Sequence, residues 1–330
     1  MAEAATMKAI VQPRYGAPES VQLRDVPVPE VGEGQVLVRN HASSVNAADT
    51  EILGGFALVR MAAPLRPKNR IVGSDVAGIV ERIGQGVTEL RAGDEVIGDL
   101  SEHGYGAFAE YVAAPVEALH RKPPSLSLAE AAAVPSAAWV AIKAIRDHRQ
   151  LGPGSEALIN GAGGGMGTFA LQMAKARGAT VTGVDNASKL DLISSLGAAR
   201  AIDYRSGDVI ESDQRYDLII DVQARRSVRD WQQVLTPDGA YLMVGGSTWR
   251  ILHGVFAGMV ISQSSDMKLG IMPGWPHEPR DMEDVDALIE SGAVRPVIER
   301  TYPLEEAAAA LRHVADGKAL GKVVVTIGIE

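Results

Sequence analysis

Residues Glu156–Ala174 read Glu-Ala-Leu-Ile-Asn-Gly-Ala-Gly-Gly-Gly-Met-Gly-Thr-Phe-Ala-Leu-Gln-Met-Ala, and the fold class is decided within them. Ala157, Leu158 and Ile159 make a short apolar run of the kind buried in a parallel sheet, while Phe169, Ala170, Met173 and Ala174 recur at helical spacing. Between them lies a glycine-packed turn. Glycine lets a chain turn tightly and lets backbone N–H groups approach a ligand closely. A helix that opens from such a turn offers unpaired N–H groups and a positive dipole end, which suit a pyrophosphate. The spacing Ala162-x-Gly164-x-x-Gly167 is an Ala-for-Gly variant of the dinucleotide fingerprint, in which Gly167 lets helix and strand pack closely. Gly163, Gly164, Gly165 and Met166 are therefore candidate phosphate-cradling residues. A glycine-rich turn without a ligand is the alternative, and the order strand, turn, helix argues against it.

Outward from this stretch the texture differs on the two sides. Downstream, βα alternation continues: strand Thr180–Val184, helix Ser188–Leu196 stopped by Gly197, a short strand at 201–203, strand Asp217–Val222, helix Val228–Leu235 and strand Ala240–Val244, which runs into Gly245-Gly246-Ser247. That alternation predicts a doubly wound parallel sheet, with ligands at the carboxyl ends of its strands, near Asn160, Asp185, Val222 and Gly245. Upstream, short runs at Met7–Val11, Val36–Arg39, Ile71–Val80 and Phe108–Ala113 alternate with glycine and proline turns, which predicts a compact β domain. The texture changes near Ser125, where an alanine-rich helical stretch begins that is interrupted at Pro135. The tail reads as helix 282–291, strand 297–301, helix 304–316 and strand 322–327, the last returning to the first domain. The expected domains are thus 1–125 with 273–330, and 126–272.

A chain of 330 residues is comfortable for two domains, and 46% hydrophobic residues with scattered charge is the composition of a globular protein. The net charge of -9 is spread along the chain, so nucleic acid and anionic membrane are not expected partners. The absence of cysteine excludes disulfides, thiolate nucleophiles and cysteine-ligated zinc. No stretch has the apolar length of a membrane span, and Met1–Thr6 lack the start of a signal peptide, so a cytoplasmic location is the expectation.

Several further stretches carry a family resemblance. They are 43–49 (Ser-Ser-Val-Asn-Ala-Ala-Asp), 73–78 (Gly-Ser-Asp-Val-Ala-Gly), 93–96 (Gly-Asp-Glu-Val), 131–135 (Ala-Ala-Ala-Val-Pro), 196–198 (Leu-Gly-Ala), 202–204 (Ile-Asp-Tyr) and 321–324 (Gly-Lys-Val-Val). Together with the glycine turn, and in this order along nearly the whole chain, the set resembles the medium-chain dehydrogenase/reductase superfamily in its zinc-free quinone oxidoreductase branch. The resemblance implies a GroES-like β-rich domain built from both ends of the chain, with a Rossmann domain inserted. It also implies a homodimer paired through an edge strand, for which 267–271 is the candidate; an inner strand of a monomer is the alternative. Zinc-dependent relatives ligate the metal with Cys, His and Cys. Here the first position is Asn46 and the histidine position is Ser74, and the seven histidines show no ligand spacing. His41 and His103 read as loop or surface residues.

The resemblance implies hydride transfer from a nicotinamide cofactor to a small-molecule acceptor already activated for it, a quinone or an α,β-unsaturated carbonyl. A zinc-free alcohol dehydrogenase, a specialised biosynthetic reductase and a cofactor-binding protein with little turnover are the alternatives. Asp185, at the end of the second strand, is the residue type that selects NAD through the ribose hydroxyls. Lys189 and Tyr204 match residues that meet a 2′-phosphate, so NADP(H) is expected over NAD(H). Asn46 would stand beside the nicotinamide ribose or the substrate oxygen, with an Asx-turn cap as its other reading. Asp49 reads as a helix cap. Val134, Pro135, Val140, Gly245, Gly246 and Ser247 would lie near the nicotinamide. Relatives commonly carry Thr where this chain has Val140 and Leu where it has Trp139, and Trp139 reads as core. Tyr105 is the candidate proton donor, with solvent as the alternative. Trp249, Phe256 and Trp275 are looser pocket candidates.

Overall fold

The computed structural model describes residues 5–68, 70–148, 150–246, 249–250, 254, 267–271 and 279–328. The strands are β1 Thr6–Val11, β2 Gln22–Pro27, β3 Gln35–Val45, β4 Asp75–Ile83, β5 Glu95–Asp99, β6 Tyr111–Pro115, β7 Leu119–Arg121, β8 Glu156–Asn160, β9 Thr180–Asp185, β10 Arg200–Asp203, β11 Tyr216–Asp221, β12 Leu235–Met243, β13 Lys268–Ile271, β14 Ile298–Pro303 and β15 Lys322–Thr326. They fall into two compact units, residues 1–137 with 296–330, and residues 138–295. No described helix is long and apolar enough to cross a membrane.

The first unit is organised on β3, which pairs antiparallel with β4, β6 and β15. Its sheet runs β14-β15-β3-β4-β5-β7, with β6 also on β3, while β1 and β2 form a separate antiparallel pair. Valines with an inward period of two close one core: Val36, Val38, Val76, Val80, Val96 and Val112 are all buried. A second cluster, including Leu53, Phe108, Leu311, Val323 and Val325, seats helix Ala47–Gly54, helix Ala307–Ala315 and β15 together.

The second unit is the expected doubly wound sheet. All its strand pairs are parallel, in the order β10-β9-β8-β11-β12-β13, so the connection reverses between β8 and β11. β8 buries Ala157, Leu158 and Ile159 and ends on the buried Asn160, and helix Gly165–Ala176 lies against it and β9. That approach depends on Gly167: a Cβ there would stand 2.1 Å from the Gly161 carbonyl oxygen and 2.8 Å from Ala162 Cα.

The expected domain boundaries move at both ends. Helix Leu128–Ala132 packs on β3 and β4 and stays with the first unit. Helix Pro279–Glu290 stays with the second, because its buried Asp281 takes the indole N–H of Trp139 at 2.8 Å and the Arg146 guanidinium at 2.5 Å. Trp139 is core, as read from the sequence. The helix expected over Val228–Leu235 ends at Gln232, since the Val234 carbonyl accepts from Tyr216 N–H and Leu235 is drawn into the ladder with β11. β2 was not expected among the turn residues that precede β3.

Gly167→Ala is expected to cost about 1–3 kcal/mol through overpacking against the glycine-turn backbone, read as a lower urea midpoint at unchanged slope.

Candidate active site

The glycine turn keeps its first helical N–H groups free of the helix. Gly164 is the residue before helix Gly165–Ala176, and the intrahelical ladder begins with Thr168 N–H on the Gly164 carbonyl at 2.9 Å. The amides of Gly165 and Met166 thus open on the half-exposed rim of the turn, as a pyrophosphate site requires. Gly163 N–H donates to Asp185 Oδ2 at 3.0 Å, tying the turn to the end of β9. A Cβ on Gly163 would meet the Lys189 side chain at 2.7 Å, so glycine is required there by what lies over it. Lys189 is buried, and its ammonium stands 3.9 Å from Asp185 Oδ1. Asp185 and Lys189 are therefore brought together with Gly163, and the aspartate braces the turn. Tyr204 is more open, and its N–H reaches the Asp185 carbonyl at 3.1 Å.

The carboxyl ends of β8 and β11 meet through Asn160 Nδ2, which donates to Asp221 Oδ1 at 2.7 Å. Asp221 is fully buried and also takes Trp231 Nε1 at 2.8 Å, Tyr241 OH at 3.0 Å and the N–H groups of Gln223 and Ala224. Sequence reasoning placed the strand end there but missed Asp221, whose partners lie on four different segments. Gly245 and Gly246 follow β12 in the left-handed region, at φ 93° and 121°. Val140 is half-buried on helix Pro135–His148, and Trp249 is exposed. Ser247, Phe256 and Trp275 lie outside the described residues.

The first unit holds a buried polar cluster around Asp75. Its Oδ1 accepts the N–H and hydroxyl of Ser136, at 3.0 and 2.6 Å, and its Oδ2 accepts the Ser44 hydroxyl. The same Oδ2 faces Asn46 Nδ2 at 2.8 Å and Lys322 Nζ at 3.3 Å. Lys322 also donates to Asn46 Oδ1 at 2.6 Å, and because an ammonium only donates, this contact fixes which way the amide points. One Asn46 amide hydrogen is then held by Asp75, and the other leans on Ser74 Oγ at 3.3 Å. Asn46 precedes helix Ala47–Gly54, and its N–H donates to Asp49 Oδ2 at 2.7 Å, the acid side of a capping box, as expected for Asp49. Sequence reasoning listed Lys322 only as part of a motif and gave it no role.

The buried carboxylates Asp49, Asp75 and Asp99 act on one another, and Lys322 faces Asp75. Burial pushes the Asp49 carboxyl up to about 7, with Asp75 and Asp99 adding to it and the Asn46 N–H and Lys322 opposing. Burial and then Asp75 also raise Asp99. Tyr105 sits in a left-handed conformation, φ 61°, its N–H on the Leu100 carbonyl. Burial first, then the charges of Asp49 and Asp99, raise its phenol, so the ring stays protonated.

Residues 32–124 match the alcohol dehydrogenase GroES-like domain family, and residues 196–325 match a family described as zinc-binding dehydrogenase. A chloroplastic quinone oxidoreductase of Triphysaria versicolor is 30% identical over 97% of this chain and 98% of its own. A 2-methylene-furan-3-one reductase of Solanum lycopersicum is 31% identical over 97% of this chain and 79% of its own. The solved quinone oxidoreductase of Coxiella burnetii superposes with a TM-score of 0.86 at 25% identity, covering 98% of this chain and all of that one. This chain belongs to the medium-chain dehydrogenase/reductase superfamily, in its quinone oxidoreductase branch. It is an oxidoreductase of that superfamily, with the GroES-like and Rossmann units expected from the sequence.

Among the described residues, the zinc in the second family's description finds no fitting donors. The positions that the resemblance matches to two zinc ligands carry Asn46 and Ser74, an amide and a hydroxyl, and the chain has no cysteine. The Lys322 ammonium is bonded to Asn46 itself. Among the described residues no three His, Cys, Asp or Glu side chains are grouped to hold a metal.

Two outcomes follow from the charges of this dehydrogenase/reductase. An acid whose folded pKa lies above its ordinary value binds more protons in the native state, so stability declines as pH rises from about 4 to about 7. Asp49→Asn keeps an acceptor for the Asn46 N–H, and urea denaturation across that range should show the decline reduced. Lys322→Met leaves the Asp75 carboxylate buried without its cation and is expected to cost about 3–5 kcal/mol, much of it recovered in the double variant with Asp75→Asn.

Proposed function

We propose that this protein is an NADPH-dependent oxidoreductase that reduces quinones or α,β-unsaturated carbonyl compounds without a metal. The carrying observation is the phosphate turn at the reversal point of the parallel sheet, in a chain whose metal-ligand positions carry Asn46 and Ser74. The relatives support the substrate class: one is a quinone oxidoreductase, and the substrate in the other's name is an unsaturated ketone. Another, from Arabidopsis thaliana, is an NADPH-dependent alkenal/one oxidoreductase, 29% identical over 97% of this chain.

A bound NADPH supplies the hydride. The chain's own part is to grip and to place. The amides of Gly165 and Met166 hold the pyrophosphate, and Lys189 and Tyr204 lie on the side of the 2′-phosphate. Gly245, Gly246, Ser247 and Val140 serve the nicotinamide end. In the first unit, Asn46 is the donor to the oxygen that gains charge as the acceptor is reduced. The hydrogen it gives is the one now on Ser74 Oγ, the longest of the amide's own bonds, while the shorter bonds to Asp75 and Lys322 keep the amide aimed. A ketone or quinone needs a proton after the hydride, and the protonated Tyr105 phenol is the donor. We further propose a homodimer joined through β13, which closes one edge of the parallel sheet. Pairing would cover an edge otherwise open to other strands.

NADPH oxidation followed at its absorbance band, with a panel of quinones and enones and with NADH in parallel, tests the function. Turnover with members of either class, unchanged by a strong chelator, is expected. Loss of activity on chelation, restored by zinc, would contradict the metal-free reading.

A further inference from the structure

Two loops bracket the glycine turn, and each carries an arginine to the same tyrosine. On one side, Tyr204 follows β10 and is bonded to Asp185, the residue that holds Gly163. On the other, the loop after β11 packs against the turn: the Cβ position of Gly161 lies 3.2 Å from Val222 Cβ and from Gln223 Nε2. The next residue, Ala224, is one of only two described non-glycine residues with positive φ, at 48°. A non-glycine residue in that region is strained and persists where its surroundings hold it. Here the holder is Asp221, which takes the N–H groups of both Gln223 and Ala224 and is itself anchored by Asn160, Trp231 and Tyr241. The strained bend delivers Arg225, whose guanidinium lies 5.7 Å from the centre of the Tyr204 ring, and Arg205 lies 5.4 Å from the same ring.

The two arginines differ from the other cations nearby. Lys189 faces Asp185, and Arg226 is bonded to Asp208 at 2.9 Å. Arg205 and Arg225 are exposed, and among the described residues neither is paired with a carboxylate. In a chain of net charge -9, two cations set on one ring, neither guanidinium paired with a carboxylate among the described residues, are arranged for an anion from outside. The pyrophosphate is already provided for at the helix start, and the end of β9 is where such sheets meet the adenosine ribose. An anion just beyond Asp185 is therefore a phosphate on that ribose.

Resting on the NADPH reading above, we propose that Arg225, delivered by the strained turn at Ala224 and assisted by Arg205 across the Tyr204 ring, binds the 2′-phosphate and sets the preference for NADPH over NADH. Arg225 is then a specificity-determining residue that sequence reading did not single out, since it lies 36 positions from Lys189 and no spacing connects them.

The test is a binding titration of the full chain, read by nucleotide fluorescence, with NADPH and NADH. Displacement by 2′,5′-ADP and by 5′-AMP gives a second reading that needs no turnover. Arg225→Gln should weaken NADPH and 2′,5′-ADP by about tenfold or more, the scale of a lost charge-assisted bond, and leave NADH and 5′-AMP within about twofold. Arg225→Lys should retain part of the preference. Both are changes at an exposed residue whose contact is with the Tyr204 ring. If the parent chain prefers NADPH and Arg225→Gln keeps the full preference, the role of Arg225 is overturned while the cofactor reading stands. If the parent chain binds NADH as tightly as NADPH, the cofactor reading falls and this proposal with it.

Discussion

The ion pair between Lys322 and Asp75 is the constraint on which the first unit depends. It joins the last strand to β4 across 247 residues of sequence, and through Asn46 it reaches the start of helix Ala47–Gly54. A charge this deep is tolerated only when every lone pair finds a donor. Asp75 meets that condition with two serine hydroxyls, a backbone amide, the Asn46 amide and the ammonium. The result is an asparagine whose orientation is not free. In a site that works by placement, a fixed hydrogen-bond donor is worth more than a mobile one, because its reorganisation is completed during folding.

The same burial sets the protonation of the unit. Asp75 faces Lys322, and burial leaves the neighbouring Asp49 holding a proton close to neutral pH. Burial first, and then the nearby acidic side chains, also keep Tyr105 a phenol. The Lys322 side chain brings positive charge to Asn46, and it arrives with the fold.

The parallel sheet was legible because its signals are local. Strand β8, its glycine turn and its helix occupy consecutive residues, and each βα step repeats the same change of period. The requirement for glycine at Gly163 and Gly167 was legible in kind, though what presses on them, the Lys189 side chain and the Gly161 carbonyl, is visible only in three dimensions. β2 was illegible for a different reason. Gln22–Pro27 is exposed along nearly its whole length, so it carries no buried alternation, and it is a strand only because β1 pairs with it. The helix over 228–235 was read three residues too long, since a local pattern cannot report that Leu235 belongs to a ladder. Lys322, Asp75 and Asp221 were missed as a class: a buried polar residue declares itself through partners, and theirs lie on other segments of the chain.

The placement of Lys322 on β15 has a consequence for how the protein comes into being. The second unit is one continuous stretch, so it has all its strands before the ribosome has made β14 or β15. The first unit must wait, its sheet open along β3 and its buried aspartate without a counter-charge, until β15 has been added. A nascent chain therefore passes through a period with a finished nucleotide-binding half attached to an unfinished partner. Any chaperone demand should concentrate in that interval.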